Sequence, residues 1–251
     1  KSFDRLHDCL ADYAWNYQGA GDVTDVTARH AARNFPTMQE ETIRAFRLME
    51  WISEERSAKK DPEAPHQAVI NSCHTLNYQL TYYPHCYYSN TQDFPRNFPG
   101  WQLEQFLPWR RDYERYIYTM ASMAKEAAEI FRTAAQDPAC NQPLADRLAY
   151  ECENLQAIGS DWIAFFRIYD LTQAGQQEKI LPIAKKRYDA RIALMKRCQH
   201  VKEDWAQKGA TMRNLSVFME IFADIVRYME SADDPQLNIL DLRPIMSPEN
   251  R

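Results

Sequence analysis

The chain has 251 residues, 45% hydrophobic and 26% charged, a globular balance that excludes disorder and low complexity and allows one large domain or two small ones without disulfide staples. Six glycines, about 2.4% against a usual roughly 7%, argue against a many-stranded sandwich or barrel, whose tight turns draw on that residue. Thirty basic and 35 acidic residues leave a formal charge of −5, no broad field for phosphates; Arg167 breaks the apolar run from Trp162 to Tyr169, far short of the roughly 18 residues a membrane span needs, so neither nucleic acid nor membrane is expected as a partner.

In chain order, a first helix is predicted over Asp22–Phe35. Asp22 and Asp25 stand in an N-cap arrangement, Val23, Val26, His30, Ala31 and Phe35 recur at helical spacing, and Pro36 ends it. A second runs from Gln39 to about Ser57 with Ile43, Phe46, Met49 and Ile52 on one stripe, before a charged, proline-containing break from Lys59 to Pro65. Together they read as a helical hairpin. The stretch from Ala68 to Pro108 is dense in tyrosine, phenylalanine and tryptophan and is interrupted by Pro84, Pro95, Pro99 and Pro108, which forbid one long element.

From Pro108 the periodicity is long and regular through Tyr113, Tyr116, Ile117, Met120, Met123, Ala124, Ala127 and Phe131. A turn over Asp137–Pro143 leads to a second long helix marked by Leu144, Leu148, Cys152, Leu155, Trp162, Phe166 and Tyr169 and ending near Gly175. A third, with Ile180, Ala184, Leu194, Met195, Cys198, Val201 and Trp205, continues to Gly209; a fourth spans Met212–Met229. The tail from Asp233 to Arg251 is proline-punctuated and reads as an extended strap. The expected fold class is all-α: a helical hairpin, an irregular aromatic-rich segment and a C-terminal four-helix up-down bundle. The expected division is residues 1–107 (hairpin with aromatic segment) and 108–251 (long-helix bundle with extended tail), or one continuous domain.

Six cysteines, Cys9, Cys73, Cys86, Cys140, Cys152 and Cys198, show no paired spacing and read mostly as buried thiols, with Cys152 and Cys198 on apolar helix faces. Cys73-His74 and His85-Cys86 invite a zinc reading, but neighbouring residues diverge and structural zinc sites separate paired ligands by two to four positions. Glu63-Ala-Pro-His66 matches the di-iron Glu-x-x-His pattern, yet Pro62 and Pro65 flank it and no second copy occurs. His200 stands alone. No metal and no cofactor are expected. Glu40/Glu41, Glu54/Glu55 and Glu151/Glu153 could in principle supply a glycosidase's two carboxylates; adjacent helix residues point apart, so solvated faces are the simpler account. Gly19-Ala-Gly21 lacks the third glycine of a dinucleotide fingerprint, with Thr24 in its place, and the sequon Asn214-Leu-Ser216 falls in a predicted helix.

Tyrosine and tryptophan faces stack on sugar rings while their polar atoms fix orientation, so Tyr82, Tyr83, Tyr87, Tyr88, Trp101 and Trp109 are candidate ligand contacts; packing against neighbouring helices is the competing role.

The phrase Leu10-Ala-Asp-Tyr-Ala-Trp-Asn16, a short loop, Asp22-Val-Thr-Asp-Val26 and Ala28-Arg-His-Ala-Ala-Arg-Asn-Phe35 resembles a segment of bacterial multidomain glycoside hydrolases of the hexosaminidase-like and glucuronidase-like families. In those enzymes a Tyr-x-Trp-Asn piece closes the catalytic barrel, and a helical domain follows whose first helix is arginine-rich and ends in Phe or Phe-Gly. The later helices are similar in length and in the run from Trp205 to Phe218. Pro36 stands where the family has glycine, and no barrel carrying catalytic carboxylates lies in this sequence, so no catalytic residue transfers.

The resemblance implies that Trp15 and Asn16 sit at a junction with a catalytic barrel, packing or helping to wall a sugar site. It also implies a secreted or periplasmic location, a barrel in the same protein or a second copy as partner, and carbohydrate as a ligand. Residue 1 is lysine with no signal h-region after it, which fits a mature chain or a piece of a longer one. The expected function is a helical accessory domain of a carbohydrate-active enzyme; the alternative is a stand-alone helical enzyme or small-molecule binder with an aromatic-lined pocket.

Overall fold

A computed structural model describes residues 23–53, 100–201 and 205–242. All regular structure among them is helical, with no strand: α1 (Val23–Asn34), α2 (Gln39–Ser53), α3 (Gly100–Phe106), a 3₁₀ turn (Leu107–Trp109), α4 (Arg110–Gln136), α5 (Gln142–Gln173), a second 3₁₀ turn (Gln177–Lys179), α6 (Ile180–Val201) and α7 (Trp205–Ser231). The all-α fold expected from glycine scarcity and apolar periodicity is the fold observed. No helix among the described residues is long and apolar enough to cross a membrane.

The described residues form two compact units. One gathers 23–53 with 122–156; the other gathers 100–121 with 157–201 and 205–242.

In the first unit the hairpin α1–α2 supplies Phe35 and Phe46, and α4 supplies Phe131. Their rings meet pairwise at centroid distances of 6.3, 6.1 and 5.3 Å. His30 lies edge-on to Phe35 and Phe46 and is buried, as its place on the apolar stripe predicts. Around the rings, Ala127, Ala128, Ala134, Ala145 and Ala149 are buried, and these short side chains let helix backbones approach closely. Two turns are tied to each other. Thr37 donates its hydroxyl to Asp137 at 2.5 Å, the Asn141 amide donates to the Asn34 carbonyl at 2.7 Å, and the two asparagine side chains bond at 3.0 Å. The expected turn at Asp137–Pro143 is shorter than its sequence suggests. Helix α5 starts at Gln142, with Pro143 in its first turn, where a missing N–H costs nothing.

In the second unit an aromatic chain fills the interior. Phe106 stacks on Tyr113 at 4.1 Å and tilts against Trp162 at 5.1 Å; Trp162 meets Phe165 edge-on at 5.5 Å, and Phe165 stacks on Phe222 at 5.0 Å. Burial holds the Tyr113 phenol above its ordinary pKa. Helices α6 and α7 run antiparallel, with Lys185 near the start of one paired to Glu230 near the end of the other at 2.5 Å. Pro108 cannot donate to a helical ladder, and the chain passes from α3 through the 3₁₀ turn into α4 there. Helix α5 closes in a Schellman motif: Gln176 N–H bonds the Leu171 carbonyl and Gly175 N–H the Thr172 carbonyl, with Gly175 at φ +66°.

Two further expectations differ from the structure. The third long helix does not continue to Gly209: α6 ends at Val201, and α7 begins at Trp205, so Gly209 lies inside α7. A single interior glycine costs about 1 kcal/mol, and Ala206, Gln207, Lys208 and Ala210 around it are strong helix formers. Glu153, expected on a solvated face, has a side chain only 11% exposed and accepts from Arg132 at 2.7 Å.

Candidate functional site

Of the sequence-predicted contacts, Trp15, Asn16, Tyr82, Tyr83, Tyr87 and Tyr88 lie outside the described residues. So do Cys73, His74, His85, Cys86, Glu63, His66, Gly19, Gly21, Glu54 and Glu55. Trp101 is the second residue of α3 and Trp109 closes the first 3₁₀ turn, with Trp109 42% exposed. The backbone around His200 is in α6 and that of Asn214–Ser216 in α7. Glu40 and Glu41 are exposed in the first turn of α2, as expected.

Directly after Trp109, Arg110 gathers a charged cluster. Its Nε donates to Glu114 at 2.8 Å and its Nη2 to Asp170 at 2.7 Å, with Nη1 on the other Asp170 oxygen. The guanidinium carbon sits 5.2 Å from the Phe166 ring centroid. Two carboxylates held on one cation meet the composition of a glycosidase pair but not its electrostatics. A general acid needs a raised pKa, whereas the Arg110 hydrogen bond holds Asp170 below the ordinary carboxylate value and the pairing pushes Arg110 up. This cluster accepts hydrogen bonds and fixes the start of α4 against the end of α5.

A folded-state pKa below the unfolded one stabilises above the unfolded value, about 3.9 for Asp, and that contribution is lost as pH falls through the folded value. With these side chains about a third exposed, screening limits it to about 1 kcal/mol or less. Asp170→Asn should therefore narrow the stability difference between pH 7 and pH 2 by that small amount, read from urea midpoints. An unchanged pH profile would show that the pair carries nothing.

The other cluster was not singled out in the sequence. Asp161 of α5 is fully buried. Its Oδ1 accepts from Arg187 Nε at 2.7 Å, and its Oδ2 accepts from Arg191 Nε at 2.6 Å and from Arg191 Nη2. Arg187 also donates to the Ala157 carbonyl at 3.2 Å. Arg191, itself fully buried, places its guanidinium 4.6 Å from the Phe218 ring centroid. A signal was present. Asp161 falls on the stripe of Ile158, Trp162 and Phe165, and Arg187 and Arg191 fall between Ala184 and Leu194 on the stripe that continues to Cys198; a charge on an apolar stripe requires a partner across the core.

No group of three His, Cys, Asp or Glu able to hold a metal ion occurs among the described residues. Cys140, Cys152 and Cys198 are free and buried, as the apolar positions of the last two predict. Burial pushes the Cys152 thiol far up, and its sulfur donates toward Met49 Sδ at 3.3 Å. Only the thiolate reacts, so Cys152 should label with a maleimide in urea and stay essentially unlabelled in the native protein over the same interval, as mass spectrometry of its peptide would show. Rapid native labelling would contradict the burial.

No family model, curated protein or solved structure matches the chain.

Proposed function

We propose that the chain is a helical accessory module of a carbohydrate-active enzyme of the glycoside hydrolase kind, packing on a catalytic module or on a second copy. The observation that carries the reading is the use made of Val23–Phe35, the part of the resembling segment that lies among the described residues. Val26, His30, Ala31 and Phe35 are buried, Phe35 packs on Phe46 and Phe131, and Asn34 bonds Asn141. The phrase thus does folding work, anchoring the first described helix; in the enzymes it resembles, the corresponding arginine-rich helix opens the helical domain.

The charged clusters fit a supporting role. Arg110 is spent on Asp170 and Glu114, and Asp161 is spent on two arginines in the core. Trp109 and Tyr118 are the large apolar side chains that face solvent among the described residues, at 42% and 56% exposure, and such side chains are the usual anchors of a packing face.

The test is the activity of the whole encoded protein on aryl N-acetylhexosaminides and aryl glucuronides, with and without these 251 residues, beside the isolated chain. The expected result is hydrolysis by the whole protein, none by the isolated chain, and a lower melting temperature for the catalytic part when the chain is removed. Turnover by the isolated chain, or a reading frame that encodes no catalytic barrel, would overturn the proposal.

A further inference from the structure

After α7 the chain turns back as a strap, residues 232–242, with no regular secondary structure. Leu237, Ile239 and Leu242 are buried. The strap is held to the helices at three points. Gln177, in the second 3₁₀ turn, uses both ends of its carboxamide on one residue, accepting from Leu237 N–H and donating to the Leu237 carbonyl, each at 3.1 Å. The Tyr228 hydroxyl accepts from Gln236 N–H at 3.2 Å. At the far end the Leu240 main chain lies on Gly100, where a β-carbon would come within 2.2 Å of the Leu240 carbonyl oxygen. Where the strap leaves α7, Ala232 N–H still bonds the Tyr228 carbonyl at 3.2 Å; the bonds beyond it are internal, with Gln236 donating to Asp234 at 3.1 Å and Asn238 accepting from the N–H groups of Leu240 and Asp241 and donating to the Asp241 carboxylate at 2.7 Å.

We propose that residues 236–242 are a latch, a segment that undocks as one unit while the helices beneath it stay folded. The number and kind of contacts carry the proposal. The strap joins no ladder of main-chain bonds, and releasing it breaks the Gln177 and Tyr228 bonds and uncovers three apolar side chains, whereas opening a helix of this unit would uncover the aromatic chain from Phe106 to Phe222. Such segments occupy the low end of the range of local opening free energies. The link into the latch supports this, since Asp233 and Asp234 are exposed and Pro235 brings no N–H to hold it.

The test is native-state hydrogen exchange on the full chain carrying Gln177→Ala or, separately, Gly100→Ala. Each substitution acts at one end of the strap, and the readouts are the amides of Gln236 and Leu237. If the strap is one unit, Gly100→Ala accelerates both amides from the opposite end. Gln177→Ala accelerates Gln236, whose own acceptor is Tyr228. The expected acceleration is about tenfold or more, the loss of one or two net hydrogen bonds, with the amides of Ile221–Ile225 unchanged. The proposal is overturned if the helix amides accelerate to the same extent, if Gln177→Ala affects Leu237 alone, or if neither substitution changes the strap.

Discussion

Asp161→Ala is expected to lower the free energy of unfolding by about 3–5 kcal/mol, the usual cost of stranding buried charge by removing one partner of an ion pair. The carboxylate is fully buried and engages two guanidinium groups, one of them as buried as itself. Without it, the buried Arg191 guanidinium loses the carboxylate that Nε and Nη2 both reach, while still lying over the Phe218 ring. Arg187, whose side chain is 14% exposed, can turn its head outward and suffers less. Equilibrium urea unfolding measures the loss. A double-mutant cycle separates its sources: Arg191→Met added to Asp161→Leu removes both buried charges and should recover a large part of the stability, because a well-packed apolar pair of similar volume is often no worse than a buried ion pair. A loss below about 1 kcal/mol for Asp161→Ala would mean that water or another group reaches the site.

Phe131→Ala should be nearly as costly, about 3–5 kcal/mol, since it removes a buried ring and leaves a cavity that rigid neighbours fill poorly. Phe131 is the ring that both Phe35 and Phe46 touch, and the alanines around it have no side chain long enough to reach into the gap. Phe131→Leu, which keeps most of the volume, should cost clearly less. The ordering of the urea midpoints, wild type above leucine above alanine, checks both. Equal losses for the two would place the contribution in ring stacking rather than in volume.

The sequence carried the helices well, because an apolar residue every three or four positions is a local property. Tyr113, Tyr116, Ile117 and Met120 mark α4 without any knowledge of what they face, and all four are buried. Ends were legible only where a residue forces them, as Pro36 does after α1 and Gly175 does after α5. Gly209 misled because its permissive backbone breaks some helices and sits inside others, and the choice rests with neighbours that supply enough helical preference to carry it. Pairing across the core was not legible. Asp161 is 26 residues from Arg187 and 30 from Arg191, and Gln177 is 60 from Leu237; no local pattern encodes such distances. Where the aromatic-rich stretch enters the described residues, Phe106 joins the helix aromatics Trp162, Phe165 and Phe222 in the interior, while Trp109 stands at the surface.

The tie between the two turns, Thr37 to Asp137 and Asn34 to Asn141, also bears on the order of events during synthesis. Its partners lie 100 and 107 residues apart, so closing it is a long-range step that gains nothing until most of the intervening chain exists. Ribosomes deliver the N-terminal part first. The hairpin α1–α2 therefore emerges with Phe35 and Phe46 uncovered, and stays so until Phe131 and then Leu148 and Cys152 have followed it out. Over that interval its apolar face is open to any passing hydrophobic surface, and a chaperone that shields such faces would find its target in residues 23–53.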